Sequence, residues 1–283
     1  MDNLLFTPPR TLRIHDRLLD LSTPRVMGIL NVTQDSFYDQ SRYPTVTLAL
    51  QKAEQMLQQG ATFLDVGGYS SRPGADDIPV DEELRRVVPV IEALAQRFPE
   101  AVLSVDTFRA AVAERAVEAG AALVNDISGG ELDPDMFATV GRLQMPYILM
   151  HMRGTPQTMT TLNQYEDLVQ ELVDFFQEKV YFLRKHLVKD IILDPGFGFA
   201  KNRTQNFALL AELDTLKMLE LPLLVGLSRK SLIWRTLGIK PEEALNGTTV
   251  LHTLALQKGA NILRVHDVKE AMEVIQLVNC LPH

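Results

Sequence analysis

One pattern recurs eight times along this chain: a short apolar run, a polar residue or glycine at its end, and a glycine- or proline-containing loop behind it. The runs end at Asn31, Asp65, Asp106, Asn125, Met150–His151, Asp194, Gly226 and Arg264. Each run is too short for a helix and suits a strand buried on both faces. Between the runs lie stretches of helical periodicity, such as Leu168, Leu172, Phe176, Val180 and Leu183. Parallel neighbours need a crossover of helix length, so the alternation predicts a parallel sheet. Eight such units in about 250 residues fit an α/β fold closed into a single (β/α)8 TIM barrel better than an open sheet. Chemistry in such barrels sits at the carboxyl ends of the strands, which is where the polar residues fall.

Read in order, residues 11–21 alternate weakly around His15, Asp16 and Arg17 and predict a short β-hairpin. Residues 1–23 are expected to form this N-terminal extension, and residues 24–283 the barrel domain. Core strands are expected at 26–32, 63–66, 102–105, 122–124, 147–150, 191–194, 223–225 and 262–265. Helices are expected at 47–59, from 81 onward, and at 110–118, 163–186, 241–257 and 269–278. Gly60 and Gly120 stop two of them, and Asp81, Glu82 and Glu83 place acids in a first turn, as the helix dipole favours.

A net charge of −8 argues against nucleic acid or an anionic membrane as partner. The start of the chain lacks the basic and apolar segments of a signal peptide. No apolar run approaches the ~18 residues that span a bilayer. The lone Cys280 excludes an internal disulfide and a cysteine metal cluster. A cytoplasmic protein is expected.

Residues 191–201 (IILDPGFGFAK) concentrate the chemistry. A buried strand ends in one carboxylate, Asp194, and Pro195 and Gly196 then break it. An acid at a strand mouth beside Phe197 and Phe199 suits a flat ligand rich in N–H donors. The alternative is that Asp194 only turns the chain.

Eight segments together resemble the bacterial dihydropteroate synthase family of pterin-binding enzymes. They are MGILNVT at 27–33 with Asp35, Ser36 and Phe37; DVGG at 65–68 with SSRPGA at 70–75; SVDT at 104–107; NDISG at 125–129; LMHM at 149–152; DPGFGF at 194–199; GLSRK at 226–230; and RVHDV at 264–268. The resemblance covers nearly the whole chain from Arg25 to about Val278 and keeps the order of the segments. It implies a transferase of folate biosynthesis and a target of sulfonamides. The expected reaction condenses 6-hydroxymethyl-7,8-dihydropterin diphosphate with 4-aminobenzoate to 7,8-dihydropteroate and diphosphate, with Mg²⁺ as cofactor, in a homodimer joined through C-terminal helices.

By that resemblance the pterin ring is held by Asp106, Asn125, Met150, Asp194 and Lys230. A carboxylate matches the amino-pyrimidine edge through paired, charge-assisted hydrogen bonds. The 4-aminobenzoate pocket is assigned to Ser71, Arg72, Pro73, Phe199 and Ser228. Diphosphate falls to Asn31, Ser71, Arg72, Arg264 and His266, with Asn31 also touching the metal. Lys230, Arg264, His266 and Asp35 are the expected catalytic set. The arylamine is itself the nucleophile, so an SN1-like displacement is expected, driven by positioning and stabilisation of the departing anion. Simpler roles stay open: Asp106 as a helix cap, Asn125 as a loop brace, His266 as a core histidine and Lys230 as a surface lysine. The chain departs from the family pattern at Gln34 (usually Pro), Tyr69 (usually Glu) and Ser71 (usually Thr). A second class, the methyltetrahydrofolate–corrinoid methyltransferases, shares the pterin acids and amide but has no diphosphate to bind. Serine and basic residues at 228–230 and at 264–266 favour the synthase. A pterin-binding paralogue without activity would be supported only by Gln34.

Overall fold

The computed structural model describes residues 11–32, 42–71, 74 and 76–281. Two short strands, β1 (Thr11–Ile14) and β2 (Arg17–Asp20), pair antiparallel around a turn at His15, whose φ is 51°. Eight parallel strands follow: β3 (Arg25–Asn31), β4 (Phe63–Gly67), β5 (Val102–Asp106), β6 (Leu123–Asp126), β7 (Tyr147–Met150), β8 (Ile191–Asp194), β9 (Leu224–Val225) and β10 (Ile262–Val265). Their order in the sheet is β8-β7-β6-β5-β4-β3-β10-β9. A single parallel bridge between Leu193 and Leu223, with the Leu193 amide on the Pro222 carbonyl at 2.8 Å, brings β8 against the start of β9 and closes the barrel.

Helices α1 (Arg42–Gln58), α2 (Val80–Arg97), α3 (Ala110–Glu118), α4 (Met136–Leu143), α5 (Leu168–Lys185), α6 (Arg203–Ala211), α7 (Ser231–Leu237), α8 (Leu245–Gln257) and α9 (Val268–Asn279) ring the sheet. Their apolar faces and the outward side chains of the strands share one large buried cluster, including Leu64, Val66, Ile91, Leu94, Leu149, Phe176, Leu193 and Leu263. A second cluster fills the amino-terminal end of the barrel. There Leu12, Ile14 and Leu21 of the hairpin region meet Met27, Phe63, Val102, Leu123, Ile148, Ile192, Leu224 and Ile262 of the strands. The hairpin thus plugs the floor of the barrel.

Two expected helices are shorter than the sequence pattern suggests. α5 begins at Leu168 rather than near 163, because the Asp167 carboxylate caps it by accepting from the Gln170 amide. The residues before it are used elsewhere: Tyr165 donates its hydroxyl to the Ala200 carbonyl at 2.9 Å. The helix expected at 241–257 is split into a 3-10 turn, Pro241–Glu243, and α8. The Glu242 carbonyl accepts from Arg229 at 2.6 Å and so is diverted from the helical ladder. Helices α4 and α6, each nine residues or fewer, were not expected. α6 does carry a readable start, a capping box between Asn202 and Gln205.

Candidate active site

Side chains two residues apart on a strand share a face. The floor residues Phe63, Val102, Leu123, Ile148, Ile192, Leu224 and Ile262 therefore place Asp65, Ser104, Asn125, Met150, Asp194, Gly226 and Arg264 in the next layer up, facing the barrel axis. One layer higher stand Gly67 and Asp106, and on β3 the same alternation leads from Met27 to Asn31. Strand register adds lateral neighbours: Asp106 is level with Asn125, and Met150 with Asp194. An apolar floor thus supports a polar mouth.

Arg264 is the centre of that mouth. Its Nε donates to Asp65 Oδ2 at 2.7 Å and its Nη2 to Asp106 Oδ2 at 2.6 Å. The same Asp65 oxygen accepts from Asn125 Nδ2 at 2.9 Å. Asp65 is fully buried, and its Oδ1 has no partner among the described residues. Burial raises the Asp106 carboxyl to about 7, with Arg264 opposing and Asp65 reinforcing the shift. Burial alone would lower the Arg264 pKa, but Asp65 and Asp106 outweigh it and hold the guanidinium charged. Asn125 donates one amide N–H to Asp65.

The loop after β8 forms one wall. Asp194 Oδ1 accepts from the Gly196 amide at 2.8 Å, and burial raises its pKa while Lys230, Arg264 and Lys201 counteract. Lys230 donates to the Phe197 carbonyl and lies 4.4 Å from the centre of the Phe199 ring. Burial lowers its pKa to about 8, against the pull of Asp194. Lys230 is therefore packed against this loop rather than freely solvated. The loop after β9 is strapped to the end of β10: Ser228 Oγ lies 3.0 Å from His266 Nδ1, and Arg229 grips Asp267 through two hydrogen bonds. Burial and the Arg264 charge lower the His266 pKa to about 4, so its ring is neutral at physiological pH.

Met150 lines an apolar patch with Ile127, Met152, Met159 and Ala200, flanked by Phe108 and Phe199. Asn31 stands at the mouth, its Oδ1 3.6 Å from where a Cβ on Gly67 would lie, an ordinary contact distance. Ser71 is half-buried on the loop after β4. Asp35, Arg72 and Pro73, and the departure at Gln34, lie outside the described residues. The departure at Tyr69 is well placed to brace its loop. Its ring meets Phe108 edge-on at 4.9 Å, the Arg109 guanidinium lies 5.4 Å from its centre, and its hydroxyl accepts from Gln157 at 2.9 Å.

Two contributors carried no role in the sequence reading. Asp65 was visible as a strand end, but nothing local showed that it joins Arg264 to Asn125. Lys201 closes the DPGFGFAK segment, and only the fold shows its ammonium to be buried.

The fold and site define a barrel enzyme suited to a flat ring rich in N–H donors beside an anion. A family profile described as "Pterin binding enzyme" matches residues 27–266. The dihydropteroate synthase of Escherichia coli K12 is 44% identical over 262 residues, which covers 92% of each chain. That of Yersinia pestis, solved with a sulfonamide drug, matches with a TM-score of 0.89 at 45% identity over 95% of this chain and 98% of that one. The Xanthomonas albilineans enzyme, solved with 4-aminobenzoic acid, gives a TM-score of 0.89 at 41% identity over 98% and 100% of the two chains. The chain belongs to the dihydropteroate synthases of the pterin-binding family, transferases of folate synthesis.

Proposed function

We propose that the protein joins 6-hydroxymethyl-7,8-dihydropterin diphosphate to 4-aminobenzoate by an SN1-like displacement. The methylene carbon–oxygen bond breaks, and diphosphate leaves with the electron pair. The arylamine nitrogen then bonds to the methylene carbon and sheds a proton. Asp194 accepts from the amino-pyrimidine edge of the pterin, with Asp106 and the Asn125 carbonyl oxygen as further acceptors and Met150 as an apolar support. Lys230 bridges the ring and the Phe199 face. Arg264 and His266, with Asn31, Ser71 and Arg72, receive the diphosphate, and Ser71, Arg72, Pro73, Phe199 and Ser228 take 4-aminobenzoate. The observation that carries this reading is the single layer of inward acceptors at Asp65, Asn125 and Asp194, interleaved with Arg264.

Mg²⁺ fits this scheme as an ion held chiefly by its substrate. It needs only one or two protein oxygens when phosphates supply the rest. Asn31, with Asp35 nearby in sequence, offers that set, and the described residues contain no dense metal cluster. When bound, the ion neutralises charge on the departing diphosphate.

We also place the protein in a homodimer through α8 and α9. Val250 and Leu254, one turn apart on α8, and Leu277 on α9 point apolar side chains outward. The two helices pack against each other. No helix among the described residues is long and apolar enough to cross a membrane.

The central assignment is tested at Asp194. Asp194→Asn keeps the shape but turns one acceptor oxygen into a donor facing the pterin edge. A lost charge-assisted hydrogen bond, about 1.5–3 kcal/mol, and an unsatisfied donor, ~1–3 kcal/mol, imply a loss on the order of 10²- to 10⁴-fold in pterin affinity. Calorimetry with pterin and, separately, with diphosphate should show the first lost and the second kept. Parental pterin affinity in the variant would reduce Asp194 to a turn residue.

A further inference from the structure

The end of the β8 loop holds a charged group that the reaction does not use. Lys201 is only 8% exposed, and a buried ammonium must be fully partnered to be tolerated. Its Nζ reaches His151 Nδ1 at 2.9 Å and the carbonyl oxygens of Phe199 at 3.1 Å, Gly196 at 3.2 Å and His151 at 3.4 Å. These partners come from both the loop after β8 and the loop after β7. An ammonium can only donate, so His151 Nδ1 accepts and the ring is the neutral Nε2–H tautomer. Burial, with Lys201 and Arg153 nearby, lowers the His151 pKa well below its usual range, in agreement.

The clamp fixes the turn on which Asp194 depends. Gly196 has φ 69°, and a Cβ there would lie 2.1 Å from the His151 carbonyl oxygen. The two loops therefore touch at closest approach, and the Gly196 amide is the group that donates to Asp194. The next residues are tied down as well. Ala200 has φ 47°, its carbonyl accepts from Tyr165, and Asn206 bonds both the Gly198 amide and the Lys201 carbonyl. A second effect is electrostatic. Asp194 feels three cations, Lys230, Arg264 and Lys201, while Lys201 feels Asp194, Lys230 and Arg153. Burial lowers the Lys201 pKa to about 7, so the ammonium is charged below neutral pH.

We propose that Lys201 is a positioning residue for Asp194: it pins the 194–199 turn to the β7 loop and supplies part of the positive field that keeps the pterin-binding carboxylate ionised. This rests on the reading that Asp194 receives the pterin.

The test separates clamp from charge. Lys201→Gln keeps N–H donors for the carbonyls and loses the charge, whereas Lys201→Met loses both. Calorimetric affinity for 6-hydroxymethylpterin is measured from pH 5 to pH 8, beside thermal melts. A nearby opposite charge shifts a carboxyl by about 1–3 units, and two other cations remain, so the acid limb of binding should rise by about one pH unit in both variants. That is about a tenfold loss of affinity below the limb and near-parental affinity above it, with the melting temperature lowered further in Lys201→Met. Asp106, whose field comes from Arg264, Asp65, Glu83 and Asp126, keeps its own titration. A limb at the parental pH in Lys201→Gln, whether affinity falls uniformly or not at all, would overturn the proposal. If Lys201→Met does not fold, Lys201→Gln alone decides. Failure of the underlying reading looks different: Asp194→Asn itself would then bind pterin like the parent.

Discussion

At Asp65 one buried carboxylate oxygen accepts from Arg264 and Asn125 together, and so ties the diphosphate side of the proposed site to the pterin side. Asp65→Asn has the same volume but removes the charge that faces Arg264, and its NH₂ has to displace one of two donors. Removing one partner of a buried ion pair costs about 3–5 kcal/mol, although Asp106 remains to Arg264 and argues for the lower end. The expected outcome is a stability loss of about 3 kcal/mol in denaturant titration, with turnover reduced because both neighbours lose their anchor. Unchanged stability would mean that Arg264 is held by Asp106 alone. Tyr69 illustrates the same logic on the surface of the site. Where the family pattern has an acid, this chain places a ring against Phe108 and Arg109 and a hydroxyl against Gln157. Arg109 already has Glu83 and Asp77 as anionic partners, so an aromatic face substitutes for a further charge without leaving the guanidinium unpaired.

Among the elements, α8 carries the clearest pH signature. His252 lies on its inner face among Thr248, Leu251, Ala255 and Leu256, and its Nε2 has no hydrogen-bond partner among the described residues. Burial lowers its pKa from 6.5 to about 4, against a weaker opposing pull from Asp267. The folded value is the lower one, so the unfolded chain binds more protons between about pH 4 and 6.5. Stability from this residue is full above about pH 6.5 and disappears as the pH falls toward 4, by on the order of 3 kcal/mol. His252→Leu should flatten the dependence of unfolding free energy between pH 7.5 and pH 4.5 by roughly 2–3 kcal/mol, leaving the slope due to other groups such as His266. A variant with the parental slope would place the proton uptake elsewhere. The short helices tell a related story of local signals and their limits. α6 announces itself through Asn202 and Gln205, whereas α4 ends at Gln144 with φ 54°, a left-handed residue where the usual stop signal is glycine.

At the scale of the whole molecule, the outward Val250, Leu254 and Leu277 lead to a prediction about assembly. The chain should sediment as a homodimer, and replacing Leu254 and Leu277 together by Lys should yield a folded monomer in analytical ultracentrifugation. A monomeric parent would refute that assembly. The barrel itself was readable from residue order because strand and helix periods are local properties. An apolar run of four to seven residues ending in a polar one means the same thing wherever it stands, and all eight strands lie where such runs fall. The floor and mouth layers follow from alternation along each strand, so Asp106, Asn125, Asp194 and Arg264 were identifiable as inward strand-end groups. Which of these groups meet was a different matter. Arg264 and Asp65 are 199 residues apart and Asn125 and Asp65 are 60 apart, yet one oxygen serves both contacts. That pairing depends on barrel closure and register. The same holds for Lys201, which reads as an ordinary lysine before a helix cap. Only the approach of the β7 and β8 loops, 50 residues apart at His151 and Lys201, removes its water and supplies four acceptors in return. Sequence determined the architecture and the inventory of polar side chains, since both follow from local pattern. Tertiary structure decided their partners, their burial and hence their charge states, because desolvation and hydrogen bonding depend on neighbours that the chain brings together only when the barrel closes.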